Sequence, residues 1–147
     1  IQIINSEDKK SVDVMEKLPT NNSPDFNGKK ILIAEDDDIN RILIEQLLEE
    51  TKCELLMASN GQECCNIYKE HQNIDLILMD IKLPVMNGLE ATTKIRKENS
   101  DIPIIAMTSY SLAAVKKKAL NARCNDVITK PIVKSVLYNT INKYLKQ

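Results

Sequence analysis

At 147 residues, 43% apolar and 28% charged, the chain has the material for one domain with a real core and too little for a comfortable two. Lys and Arg number 20 against 21 Asp and Glu, a net charge of −1, which excludes the global basic footprint that direct nucleic-acid binding normally needs. The apolar runs fall far short of a membrane span, so no membrane contact by this domain is expected.

Residues 1–28 are rich in Asn, Ser, Asp, Lys and Pro (NSEDKK, LPTNNSPDFNGKK). Such a composition buries too little apolar surface to order itself, which predicts a flexible linker or the tail of an upstream domain. Within it, Ile1, Ile3 and Ile4 suit a strand remnant, and Val12, Met15 and Leu18 have weak helical spacing. The start at Ile1 rather than Met suggests a piece of a longer chain, the alternative being N-terminal processing, which would look the same.

From Lys30 onward short apolar runs alternate with amphipathic stretches, the order of parallel strands joined by crossover helices. ILIA (31–34), CELLMA (53–58), IDLILM (74–79), IPIIAM (102–107) and VIT (127–129) read as strands, being rich in aliphatic and β-branched residues. Between and after them, Ile39, Ile42, Leu43 and Leu47 mark one helix face, and Val133, Val136, Leu137, Thr140, Ile141 and Tyr144 another. Shorter helices are predicted over 62–70, 89–97 and 112–122, entered through Asn60-Gly61, Asn87-Gly88 and Ser111. The expected class is α/β, with a doubly wound five-stranded parallel sheet flanked by five helices.

Cys53, Cys64, Cys65 and Cys124 form no CxxC pair and have no His at metal-ligand spacing. With no signal peptide, reduced thiols in a cytoplasmic protein are expected. His71 sits near the end of a predicted helix, where a cationic side chain is favourable without any functional role. The run Lys116-Lys117-Lys118 reads first as a solvated face.

The chemistry-bearing residues stand just past the carboxyl ends of the strands, where open parallel sheets bind ligands. Glu35-Asp36-Asp37-Asp38 follows the first strand, Asp80 the third, Thr108-Ser109 the fourth and Lys130-Pro131 the fifth. Several carboxylates crowded at one edge, with no His or Cys, suit Mg²⁺ rather than Zn²⁺. A hydroxyl and a lysine converging on the same edge add an anion-binding half, and the combination suits phosphoryl transfer. Asp80 ends the most apolar strand and is the best nucleophile candidate, since carboxylates form aspartyl phosphates. Lys130 would pair with one phosphoryl oxygen and Thr108 donate a hydrogen bond to another. Asp37 and Asp38 read as a helix N-terminus only.

In these residues the chain resembles the response-regulator receiver domains of two-component signalling, which have a flavodoxin-like fold. ILIAEDDDINR looks like the family's first strand and acid pair, LILMDIKLPVMNGLEAT its acceptor strand and loop, PIIAMTSYS its switch-threonine strand, and CNDVITKPI its lysine-proline strand. Together they cover roughly residues 29–147, the expected receiver domain. The resemblance implies that Asp36 ligates Mg²⁺ directly, that Glu35 acts through a water, that Asp80 is both ligand and phospho-acceptor, and that the Lys82 main-chain carbonyl is a further ligand. It also implies a cis Lys130–Pro131 bond, modulation of phosphoryl lifetime by Lys82 and Tyr110, and a partner bearing phosphohistidine, either a histidine kinase or a histidine phosphotransfer domain.

Glu-Asp in place of a double Asp, and MNGLEAT after the acceptor, look most like receivers at the C-terminal end of hybrid sensor histidine kinases, whose parent chains are often membrane-anchored. Two positions depart from the family: Arg123 stands where relatives usually have Gly, and Val127 where most have Tyr or Phe, so the usual aromatic switch is in doubt. Three other readings compete: a single-domain regulator that acts by docking, a degenerate receiver that only binds proteins, and a haloacid-dehalogenase-like hydrolase. The hydrolase needs a second Asp two residues after its nucleophile, and Lys82 stands there.

Overall fold

Five short aliphatic runs become five strands of one sheet in the computed structural model, which describes residues 23–145 except Asn99, Tyr110 and Ser111. In chain order the elements are β1 (Lys30–Ala34), α1 (Asp38–Glu49), β2 (Glu54–Ala58), α2 (Gly61–Glu70), β3 (Leu76–Asp80), α3 (Gly88–Arg96), β4 (Ile104–Thr108), α4 (Leu112–Asn121), β5 (Asp126–Thr129) and α5 (Lys134–Tyr144). All strand pairs are parallel in the order β2-β1-β3-β4-β5. This is the expected doubly wound α/β sheet with five helices, each predicted element lying within two residues of its place. The suggested strand remnant and weak helix inside residues 1–18 lie outside the described residues, as do Tyr110 and Ser111.

Alternation along the strands divides the core into two layers. Ile31, Ile33, Leu76, Leu78, Ile105 and Met107 point to the side covered by α1 and α5, where Ile44, Leu48, Leu137 and Ile141 meet them. Leu32, Ala34, Ile77, Met79, Ile104 and Ala106 point to the side covered by α2, α3 and α4, against Cys64, Ala91, Ile95 and Ala119. β3 and β4 are buried along their whole length, which is why their sequences are almost uninterrupted aliphatic runs. Asn60 and Asn87 cap α2 and α3 by accepting from the backbone N–H groups of Glu63 and Glu90.

The buried faces of α1 and α5 differ in phase from the expected ones. Ile39 is 77% exposed and Ile42, Val133 and Val136 are also exposed, while Ile44, Leu48, Leu137, Tyr138 and Ile141 are buried. A helix packed on a sheet buries one stripe and leaves the other side to solvent, and these four residues fall outside the buried stripe. In α1 the rotation turns Ile44 and Leu48 fully inward and leaves Leu43 and Leu47 at the margin.

Phe26 lies inside the stretch expected to be linker, yet it is 1% exposed and belongs to the α1/α5 layer of the core. Its backbone N–H donates to the Thr51 carbonyl at 2.8 Å, and its carbonyl accepts from Lys29 N–H at 3.0 Å. Ser23 Oγ donates to Glu50 Oε1 at 2.8 Å, and that carboxylate also lies near Lys134 and Tyr138 of α5. Ser23, Phe26 and Lys29 are therefore tied to the packed body, although they adjoin or lie within the stretch expected to be linker. No helix among the described residues is long and apolar enough to cross a membrane.

Lys52, Val85 and Arg123 take positive φ angles of 68°, 68° and 75°, a region that costs a residue with a side chain about 1 kcal/mol relative to Gly. Arg123 follows α4, where a left-handed residue closes a helix and Gly is favoured. Arg123→Gly is expected to stabilise the domain by about 1 kcal/mol and raise its melting midpoint by roughly 4 °C in a thermal melt.

Candidate functional site

The strand order reverses between β1 and β3, and at such a point the chain ends of neighbouring strands diverge and leave a crevice. Asp80 closes β3 between β1 and β4, opposite Met107 in the register. Asp80 is 3% exposed. Glu35 follows β1, held by its backbone N–H on the Ala58 carbonyl at 3.0 Å, and is fully buried. Asp36 and Asp37 beside it are exposed. A cleft of about 520 Å³ lined by Glu35, Asp36, Asp80, Lys82, Thr108 and Lys130, among others, opens over these groups.

One carboxylate oxygen each from Glu35, Asp36 and Asp80 lies within 4.8 Å of the others. Asp37 and Asp38 do not join this group: Asp37 caps α1 by accepting from Asn40 N–H at 2.9 Å, and Asp38 begins the helix. Lys130 Nζ sits 2.9 Å from both Glu35 Oε1 and Asp80 Oδ2. Toward Asp80 this is a hydrogen bond. Toward Glu35 the ion pair is badly aligned for one, and Glu35 Oε1 is left buried without a hydrogen-bond partner. The other oxygen, Oε2, accepts from Asp37 N–H at 3.2 Å, and Asp80 Oδ1 accepts from Lys82 N–H at 3.1 Å.

Burial raises the Glu35 pKa above the ordinary carboxylate value and the negative charge of Asp80 adds to the rise, with Lys130 opposing both. Burial works against the charge of Lys130 as well, but its close ion pairs with Glu35 and Asp80 outweigh that and raise its pKa above the ordinary lysine value. With all groups ionised, three carboxylates face one ammonium, leaving the two negative charges that one divalent cation neutralises. An all-oxygen donor set with a buried, unsatisfied carboxylate oxygen fits Mg²⁺.

Lys130 reaches the site because its backbone N–H donates to the Thr108 carbonyl at 2.7 Å, tying the end of β5 to the end of β4. The Lys130–Pro131 peptide is cis. Thr108 is buried at the cleft wall, and Lys82 lines the loop beyond Asp80. Val127 is half-buried and packs against the α2/α3/α4 layer from β5. Tyr110 lies outside the described residues.

Sequence reasoning took Asn87-Gly88 only as a helix entry, but Gly88 also shapes the site. A Cβ there would stand 2.1 Å from the Asp80 carbonyl oxygen, and Gly88 N–H donates to the Ile81 carbonyl at 2.9 Å. The first turn of α3 therefore buttresses the backbone of Asp80 directly. Gly88→Ala is expected to destabilise the domain by more than about 2 kcal/mol, because backbone rather than a flexible side chain must give way. A urea melt reads this loss, and a midpoint unchanged from the parent would remove Gly88 from the site's support.

An acid-lined crevice with a paired lysine, at the switch point of a doubly wound parallel sheet, is the arrangement of a receiver-type α/β domain. The chain belongs to the response regulator receiver domain family, whose family model matches residues 31–142. It is a receiver of two-component signalling, of the phospho-accepting type. It is 38% identical over 131 residues to hybrid signal transduction histidine kinase I of Dictyostelium discoideum, a match that takes in 81% of this chain and 8% of the kinase. Among solved structures it resembles the receiver domain of a Saccharomyces cerevisiae response regulator, co-crystallised with a histidine phosphotransfer signalling protein, with 36% identity and a TM-score of 0.75 over 81% of this chain and 90% of that one. It also resembles the receiver domain of a Pseudomonas aeruginosa sensor histidine kinase with magnesium coordinated in its active-site cleft, with 32% identity and a TM-score of 0.73 over 80% of this chain and 98% of that one.

Proposed function

We propose that Asp80 accepts a phosphoryl group from a partner's phosphohistidine, and that the chain serves as the receiver of a hybrid sensor histidine kinase. The observation that carries this reading is the meeting of Glu35, Asp36, Asp80 and Lys130 at one sheet edge. An oxygen of Asp80 attacks phosphorus, the phosphorus–nitrogen bond breaks, and the imidazole leaves with the electron pair. Asp36 and Asp80 would hold Mg²⁺ directly, with Glu35 acting through a water and the Lys82 carbonyl completing the protein ligands. The metal supplies charge neutralisation between two anionic reactants.

The protein's own part is positioning. Lys82 N–H fixes Asp80 Oδ1, and Lys130, already at Oδ2, transfers a hydrogen bond to a phosphoryl oxygen as charge builds there. The Thr108 hydroxyl takes another phosphoryl oxygen. Lys82 and Tyr110 tune the lifetime of the aspartyl phosphate. Val127 carries no ring to turn inward, so the conformational response is smaller than in relatives with an aromatic residue there. The phosphodonor is a histidine kinase or histidine phosphotransfer domain, consistent with the partner of the yeast receiver.

A phosphorylated histidine donor tests the assignment. It should label the chain, and Asp80→Asn should abolish labelling while leaving the thermal midpoint near that of the parent. Undiminished labelling of Asp80→Asn would move the acceptor elsewhere.

A further inference from the structure

At the edge of the sheet opposite Asp80, the segments that enter β4 and β5 enclose a second polar cleft of about 170 Å³, lined by Arg96, Ser100, Asp101, Arg123 and Asn125. We propose that Arg96 and Arg123 make this cleft a binding site for a phosphate-type oxyanion, separate from the phosphoryl chemistry at Asp80.

Arg96 ends α3 and is 7% exposed. A charge buried to that degree is normally paired with a carboxylate. Here every acceptor is neutral: Nε donates to the Arg123 carbonyl at 3.0 Å, Nη1 to the Ser100 carbonyl at 3.1 Å, and Nη2 to Asn125 Oδ1 at 2.9 Å. A guanidinium carries five N–H groups, so three are engaged and two have no acceptor among the described residues. Asn125 Oδ1 is itself held by Ile104 N–H at 2.8 Å, which locks the acceptor in place. The fork is thus fixed in orientation, with two N–H groups to spare among the described residues.

Two charged side chains share the cleft with this guanidinium, the cation Arg123 and the anion Asp101. Burial, and then the charge of Arg123, push the Arg96 guanidinium below its ordinary pKa. Arg123 is also the residue with φ at 75° in a turn that Gly would serve without strain. A strained residue that sets a like charge beside a buried one is unfavourable on both counts, and strain of this kind collects at ligand sites. Asp101, in the same lining, opposes one of the two positive charges and leaves the cleft net positive. Guanidinium forks match the oxygen spacing of phosphate, whose several oxygens can reach both forks at once.

Inorganic phosphate, titrated without Mg²⁺ at ionic strength held constant with chloride, tests the site through the Arg Nε–H and backbone amide resonances. Saturable shifts are expected for Arg96 and Arg123 Nε–H and for Ser100 and Asn125, half complete at ~1–10 mM, the affinity that a few charge-assisted bonds give a small anion. Asp80→Asn should keep these shifts. Arg123→Gly should melt higher than the parent and lose the saturable response, which separates the missing charge from any loss of fold. Linear shifts that persist in Arg123→Gly would overturn the proposal, and so would acetate producing the same response at the same concentration.

Discussion

Labelling of Asp80 by acetyl phosphate is expected to fall to background when EDTA replaces Mg²⁺. Asp80 and the incoming phosphoryl group are both anionic, and Lys130 alone offsets only part of the charge, since Glu35 and Asp36 stand beside it. Two unit charges 4 Å apart repel by about 4 kcal/mol at an effective dielectric of about 20, which corresponds to roughly a thousandfold in rate. Asp36→Ala should weaken Mg²⁺ binding by at least about tenfold, because it removes one of the three clustered carboxylates while its exposure spares the core. Asp38→Ala, outside that cluster, should leave Mg²⁺ binding unchanged. Isothermal titration calorimetry suits the measurement, since the chain has no Trp to report binding by fluorescence. Equal labelling in EDTA and in Mg²⁺ would show that the carboxylate cluster is not a metal site.

A chain cut to begin at Lys29 is expected to lose about 3–5 kcal/mol of stability, the usual cost of emptying a buried phenylalanine site. The cut falls where composition alone puts the boundary, yet it removes Phe26 from the core and its backbone bond to Thr51. Phe26→Ala in the full chain should lose a similar amount, and Phe26→Leu much less, because most of the volume stays filled. Urea melts of the three chains read the difference. A chain beginning at Lys29 with the parent's midpoint would make Phe26 a passive passenger.

The strands were legible because burial on both faces leaves a plain aliphatic signature, as in IDLILM. The candidate site was legible because four separated motifs end at one sheet edge, which the α/β alternation already implied. The phase of the helices was less so. Ile39 and Ile42 share the apolar spacing of Leu43 and Leu47 in α1 but are exposed, and no local pattern distinguishes them. Phe26 was hidden by its polar neighbours, since one aromatic residue among Asn, Ser and Asp does not alter a composition argument. Gly88 was read as a cap because its closeness to Asp80 is a tertiary contact. The like-charged approach of Arg123 to Arg96 joins the turn after α4 to the end of α3 and leaves no sequence signal, although the missing Gly hinted at the strain.

Phe26 and the site sit at opposite poles of the sheet, since Phe26 precedes the first residue of β1 while Asp80 lies level with its far end. One five-residue strand separates them, a reach of roughly 17 Å at about 3.3 Å per residue. Whatever is joined to the amino-terminal side of Phe26 therefore meets the domain at the pole away from Asp80, so a fusion or tag placed there stands clear of the rim that a phosphodonor must reach.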